Sequence, residues 1–169
     1  MADFEVSFGI TCKNEGGYTL DPHETWMGID RVEEPGWHGW PIVDAMKGQA
    51  DFPRCLAANS DLLQSVKEFF RANYWAPIRG DEISDQGVAD KLYDAGVNMG
   101  TGTAVKLMQE ALGLAVDGIP GPHTLGAING ATPADVLAKF RDTRIAHYEK
   151  IVAIHPEDQK YLKSWLSRC

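Results

Sequence analysis

Four prolines punctuate the stretch from residue 18 to residue 55: Pro22, Pro35, Pro41 and Pro53, with Gly28, Gly36, Gly39 and Gly48 among them. Proline lacks the backbone donor that a helix interior needs, and glycine loses the most backbone entropy there. No long helix fits before about Ile42, so short strands and turns are expected in this stretch. From residue 60 onward, apolar residues instead recur at helical spacing. The chain is therefore constrained to a mainly α (α+β) fold: a small irregular or β lobe near the N-terminus and a larger helical lobe.

The helices can be placed one by one. Residues 4–15 read as the first, with Phe4, Phe8 and Cys12 on one face, Ile10 beside them, and Gly16-Gly17 as a stop. Ser60 or Asp61 can cap the next, which carries Leu62, Leu63, Val66, Phe69, Phe70 and Tyr74. Ser84 or Asp85 can cap another with Val88, Leu92 and Ala95. A further helix is predicted near 101–112. The turn Asp117 to Pro122 then leads into a short helix ending about Ile128. Thr132-Pro133 opens a long one, proline taking the first helical position. Tyr161, Leu162, Trp165 and Leu166 mark a last segment. At 169 residues the chain suits one domain or two lobes sharing a core. The expected division is 1–85 and 86–169, the latter as the helical lobe of the same fold, in a monomer.

Bulk charge narrows the partners. The net charge is −8, which argues against nucleic acid. Residues 1–85 hold 15 acids against 7 bases, while residues 86–169 hold 9 of each. The acidic excess either serves solubility or frames an acidic cleft. No apolar run approaches the roughly 18 residues of a membrane span, so no stable membrane association is expected. The N-terminus lacks the basic and apolar regions of a signal peptide, which predicts a cytoplasmic protein. Cys12, Cys55 and Cys169 match no zinc or redox spacing and read as free thiols. His23 and His38 lack spaced partners, so neither a metal nor a cofactor is expected. The glycine-rich turn at 117–122 has neither the Gly-Lys-Ser/Thr ending of a phosphate loop nor the ligand pattern of a calcium loop.

Glu15 is the residue with the most chemical promise. At the end of the first helix, the negative end of the helix dipole disfavours an ionised carboxylate. Beside Gly16, Gly17 and Tyr18, an apolar wall would raise its pKa further. A carboxylic acid that keeps its proton near neutral pH can protonate a leaving oxygen. The alternative is a solvated surface acid ahead of a glycine stop. Trp26, Trp37 and Trp40 could stack on sugar faces. At least one should instead form the small lobe's core, which has few other large residues.

The ordered set Asn14-Glu15-Gly16-Gly17-Tyr18, Asp21-Pro22, Thr25 and Gly28-Ile29 resembles the N-acetylmuramidases of glycoside hydrolase family 108, of the phage endolysin and secretion-activator type. Gly36-Trp37 through Gly39-Trp40, Val43-Asp44, Lys47 and Ala72-Asn73-Tyr74-Trp75 extend the likeness. The resemblance implies a lysozyme-like fold, bacterial peptidoglycan as substrate, and cleavage of the β-1,4 bond after N-acetylmuramic acid, with Glu15 as the acid. Such hydrolysis needs a second group on the other sugar face. Only His23 and Glu24 stand between Pro22 and Thr25, where the family carries a double glycine and an acidic neighbour. Glu24, nine residues after Glu15, ranks above Asp21 for the second role, and Thr25 would orient water or the partner carboxylate. Tyr18 and the three tryptophans would contact substrate.

The segments Asp94 to Gly100, Leu107-Met108-Gln109, Asp117 to Thr124 and Ser164 to Arg168 resemble the family's predicted peptidoglycan-binding region. With no signal peptide, the expected setting is an endolysin held in the host cytoplasm until a holin opens the membrane. The other readings are a non-catalytic wall-binding or secretion accessory protein, and a lytic transglycosylase.

Overall fold

The structure, a computed structural model, describes residues 1–12 and 16–169. Glu15 and the end of the first expected helix lie outside the described residues. The chain divides into two compact units, Phe8–Asn73 and Met1–Ser7 with Tyr74–Cys169. The units thus part at 7/8 and 73/74 rather than at 85/86.

In the Phe8–Asn73 unit, the proline- and glycine-rich stretch forms a three-stranded antiparallel sheet of very short strands. These are β1 (Tyr18–Thr19), β2 (Thr25–Trp26) and β3 (Ile29–Asp30). Trp26 pairs with Ile29 across the two-residue loop Met27-Gly28. Both loop residues have positive φ, 46° and 81°, as a type I′ hairpin turn requires. Glycine adopts this conformation without strain, whereas Met27 is held there by the pairing on either side. The register places Tyr18, Trp26 and Ile29 on one sheet face and Thr19, Thr25 and Asp30 on the other.

Two helices complete this unit's core. Helix α2 (Trp40–Met46) starts with Pro41 in its first turn. Helix α3 (Ser60–Phe70) is capped by Asn59, whose side chain accepts the Leu62 N–H at 2.8 Å. The cap therefore falls one residue before Ser60. Ile29, Val43, Leu56, Leu62, Val66 and Phe70 are buried. Phe8, from the second half of α1 (Phe4–Thr11), meets Phe70 edge-on at 5.9 Å.

The other unit is helical, as expected: α4 (Gln86–Met99), α5 (Thr101–Ala111), α6 (Pro122–Gly130), α7 (Pro133–Ile154) and α8 (Gln159–Ser167). Asp85 caps α4 by accepting the Val88 N–H at 2.9 Å. Pro133 occupies the first turn of α7. The first residues of the chain belong here: Phe4, Trp75 and Tyr93 form an aromatic triangle with centroids 5.7 to 6.0 Å apart. The 117–122 turn is pinned from within by buried Gln109. Its side-chain amide donates to Asp117 Oδ1 at 2.7 Å and to Ile119 O at 3.1 Å, and its carbonyl accepts the Gly118 N–H at 2.9 Å. The conformation of this turn is thus accounted for by the fold. Arg144 is fully buried and paired to Asp94, which also holds Arg168 at 2.8 Å. No helix among the described residues is long and apolar enough to cross a membrane.

Candidate active site

Among the described residues, those singled out from the sequence lie on and around the small sheet. Glu24 precedes β2 and is the most constrained. Tyr18 donates its hydroxyl to Glu24 Oε1 at 2.8 Å, Lys47 Nζ lies 2.9 Å from the same oxygen, and Arg31 Nε lies 2.6 Å from Oε2. Arg31 also forms a two-pronged pair with Asp44, at 2.7 and 3.0 Å, and its guanidinium lies 4.3 Å over the Trp40 ring. Lys47 closes the loop to Asp44 at 2.8 Å. Two carboxylates and two cations therefore alternate around one ring.

Burial opposes the charge on Glu24, but hydrogen bonds from Lys47 and Tyr18, with the charges of Arg31 and Lys47, outweigh it. Its carboxyl is held below the usual glutamate range. The hydrogen bonds from Arg31 and Lys47 bring Asp44 down to about 2. Glu24 is thus an ionised carboxylate with both oxygens engaged. Burial raises the Tyr18 phenol above its ordinary value, and so does its bond to Glu24. The Tyr18 ring is set edge-on against Phe52, centroids 4.9 Å apart.

Asp21 is exposed, and its carboxylate has no bonding partner among the described residues. Thr25 is half-buried, and its hydroxyl donates to His23 O at 3.3 Å. Across the strands it pairs with Asp30. Asp30 in turn bonds His23 Nδ1 at 3.0 Å and accepts the Val32 N–H at 2.7 Å. Burial opposes its charge, but these bonds prevail and hold it below the usual aspartate range. His38 faces Glu68 at 3.4 Å. Both histidines of the small lobe therefore face a carboxylate, and no group of three metal-holding side chains occurs among the described residues.

The tryptophans separate by role. Trp37 and Trp40 are 5% and 2% exposed and meet edge-to-face at 4.9 Å. Trp40 donates its indole N–H to Glu34 O at 2.8 Å, and Trp37 donates to Ser65 O at 3.4 Å. Rings enclosed in this way are core, and they present no open face for stacking on a sugar. Trp26, 6% exposed, is also no platform. It does border a pocket of about 280 Å³ within the same unit, together with Gly16, Gly17, Met27, Leu56 and Leu63.

The sequence and the fold both have known counterparts. The family profile described as glycosyl hydrolase 108 matches residues 8–100, and one described as "Predicted Peptidoglycan domain" matches residues 103–169. The solved structure of SagA from Brucella abortus is similar, with a TM-score of 0.66 and 23% identity over 98% of this chain and 92% of that one. That likeness bears out the mainly α, lysozyme-like fold with its small β part. No curated protein sequence matches the chain. A glycoside hydrolase directed at peptidoglycan is the class these matches define. Within it, the chain belongs to the glycosyl hydrolase 108 family.

Proposed function

We propose that the chain is an N-acetylmuramidase that hydrolyses the β-1,4 bond after N-acetylmuramic acid, with Glu15 as general acid. The observation that carries this reading is the family match across residues 8–100, which takes in Glu15 to Tyr18 and the hairpin. The acid protonates the leaving oxygen while a second group on the opposite sugar face activates water or stabilises the positive charge at the sugar.

Geometry favours Asp21 over Glu24 for that second role, the reverse of the order that spacing suggests. A carboxylate whose oxygens are already taken by Tyr18, Lys47 and Arg31 is a weak base and is not free to move. Asp21 is open to solvent and unpaired among the described residues. On this reading Glu24 is a positioning residue that ties Tyr18 to the Arg31-Asp44-Lys47 ring. Thr25 orients water from the sheet.

Incubation with purified peptidoglycan and mass spectrometry of the products tests the reaction. Release of fragments with reducing muramic ends is expected. Anhydro ends would instead mean a lytic transglycosylase. No release, with wall pulled down, would leave wall binding alone, a reading that the match over residues 103–169 favours. An endolysin role predicts that expression is tolerated until the inner membrane is permeabilised, and lysis without permeabilisation would argue against it.

A further inference from the structure

The indole N–H of Trp26 is buried and has no hydrogen-bond partner among the described residues. A buried donor left unpaired keeps its full desolvation penalty, so native proteins rarely leave one without a use. The other tryptophans of this unit, Trp37 and Trp40, both donate to backbone carbonyls. Trp26 also lines the pocket that begins at Gly16-Gly17, directly after Glu15. The other side chains lining this pocket are apolar: Met27, Leu56, Ala57 and Leu63.

We propose that this pocket takes the acetamido group of an N-acetylated sugar, with Trp26 Nε1–H donating to the acetamido carbonyl. The inference rests on the glycan-cleaving reading and adds a specificity-determining residue to it. The acetyl end of an acetamido group, entering ahead of its N–H, offers one strong acceptor and one methyl, which matches a single donor set among apolar side chains. A sugar hydroxyl at the same place would find its acceptor satisfied but its own donor stranded against Leu56 and Leu63. The indole nitrogen is buried, so a ligand reaches it only if lining side chains yield, and two of them can. Leu63 is 39% exposed. Met27 is half-buried and unbranched, so it changes rotamer at little cost.

The test compares tetra-N-acetylchitotetraose with cellotetraose, a neutral oligomer carrying hydroxyls where the first has acetamido groups. In ¹⁵N-labelled full-length protein, the acetylated oligomer should shift the Trp26 indole proton downfield, and cellotetraose should not. Trp26→Phe keeps the apolar wall but removes the donor. Its thermal stability should stay close to wild type, because no bond is lost, while its affinity for chitotetraose should fall about tenfold, the upper range for one neutral hydrogen bond. An indole resonance that does not move with chitotetraose, or moves equally with both sugars, overturns the proposal. So does a Trp26→Phe variant that binds chitotetraose like wild type. The indole measurement needs no substitution, so it decides the question even where Trp26→Phe fails to fold. Wall cleavage by the wild type is assayed in parallel. Cleavage without discrimination between the sugars sinks only this subsite, whereas an indole shift without cleavage sinks only the muramidase reading.

Discussion

Replacing Glu24 by Gln removes one charge from the ring that joins the β sheet to α2. Glu24 is 14% exposed, and its two cations, Arg31 and Lys47, are 29% and 40% exposed. Removing one member of a fully buried pair costs about 3–5 kcal/mol, whereas an exposed pair is worth about 0–1. Arg31 and Lys47 keep Asp44 and stay partly hydrated, so the loss should lie between these limits, at about 1–2 kcal/mol. For a chain of this length each kcal/mol moves Tm by about 2–4 °C. Glu24→Gln should therefore melt about 2–8 °C below wild type at pH 7. Because folding lowers the Glu24 pKa, its stabilisation is complete above the unfolded value of about 4.3 and fades as pH falls through the folded value. The Tm gap should be constant from about pH 7 to pH 5 and shrink below about pH 4. Calorimetry across this range checks it. Equal Tm values at pH 7, or a gap that widens in acid, would refute the idea of a ring stabilised by charge.

At matched folded concentration, Asp21→Asn should lower wall cleavage by about 10²-fold or more, the scale of a lost acid–base group, and Glu24→Gln by clearly less. The reverse ranking in a turbidity assay would return the second role to Glu24. Gly80→Ala places a methyl against the ring of fully buried Trp75, which Asp81 holds by a 2.9 Å bond from its indole nitrogen. Overpacking there should cost about 1–3 kcal/mol, read by urea unfolding, and an unchanged midpoint would show that the ring can yield. A fragment of residues 1–85 lacks Tyr93, which Phe4 and Trp75 pack against, and Asp90, which Ser7 bonds. It should be poorly folded and inactive, and a fragment that is folded and lytic would mean that its core closes without α4.

The helical unit was largely legible because each boundary carries a local signal, such as Asp85 before α4 and Pro133 in α7. The cap of α3 is less distinct, since Asn59, Ser60 and Asp61 can all accept a backbone N–H, and only tertiary packing selects Asn59. The hairpin left little signal, because Gly28 suits a turn but Met27 does not, and two-residue strands are too short for period-two alternation to show. The ring of charges was not legible as such. Arg31 and Asp44 are 13 positions apart and meet only once the sheet and α2 have packed. Tryptophan positions could be counted but not assigned, because a ring suited to a sugar is equally suited to a core. The orphan indole of Trp26 is likewise a property of packing and leaves no trace in composition. Glu15 lies outside the described residues, so its role rests on the motif and the family.

The most direct measurement is wall cleavage by Glu15→Gln beside wild type, on purified peptidoglycan, with circular dichroism and Tm confirming that both are folded. General acid catalysis by Glu15 predicts reducing muramic ends from the wild type and none above background from the variant, with little change in Tm. A folded Glu15→Gln protein that releases the same fragments at the wild-type rate would contradict the account.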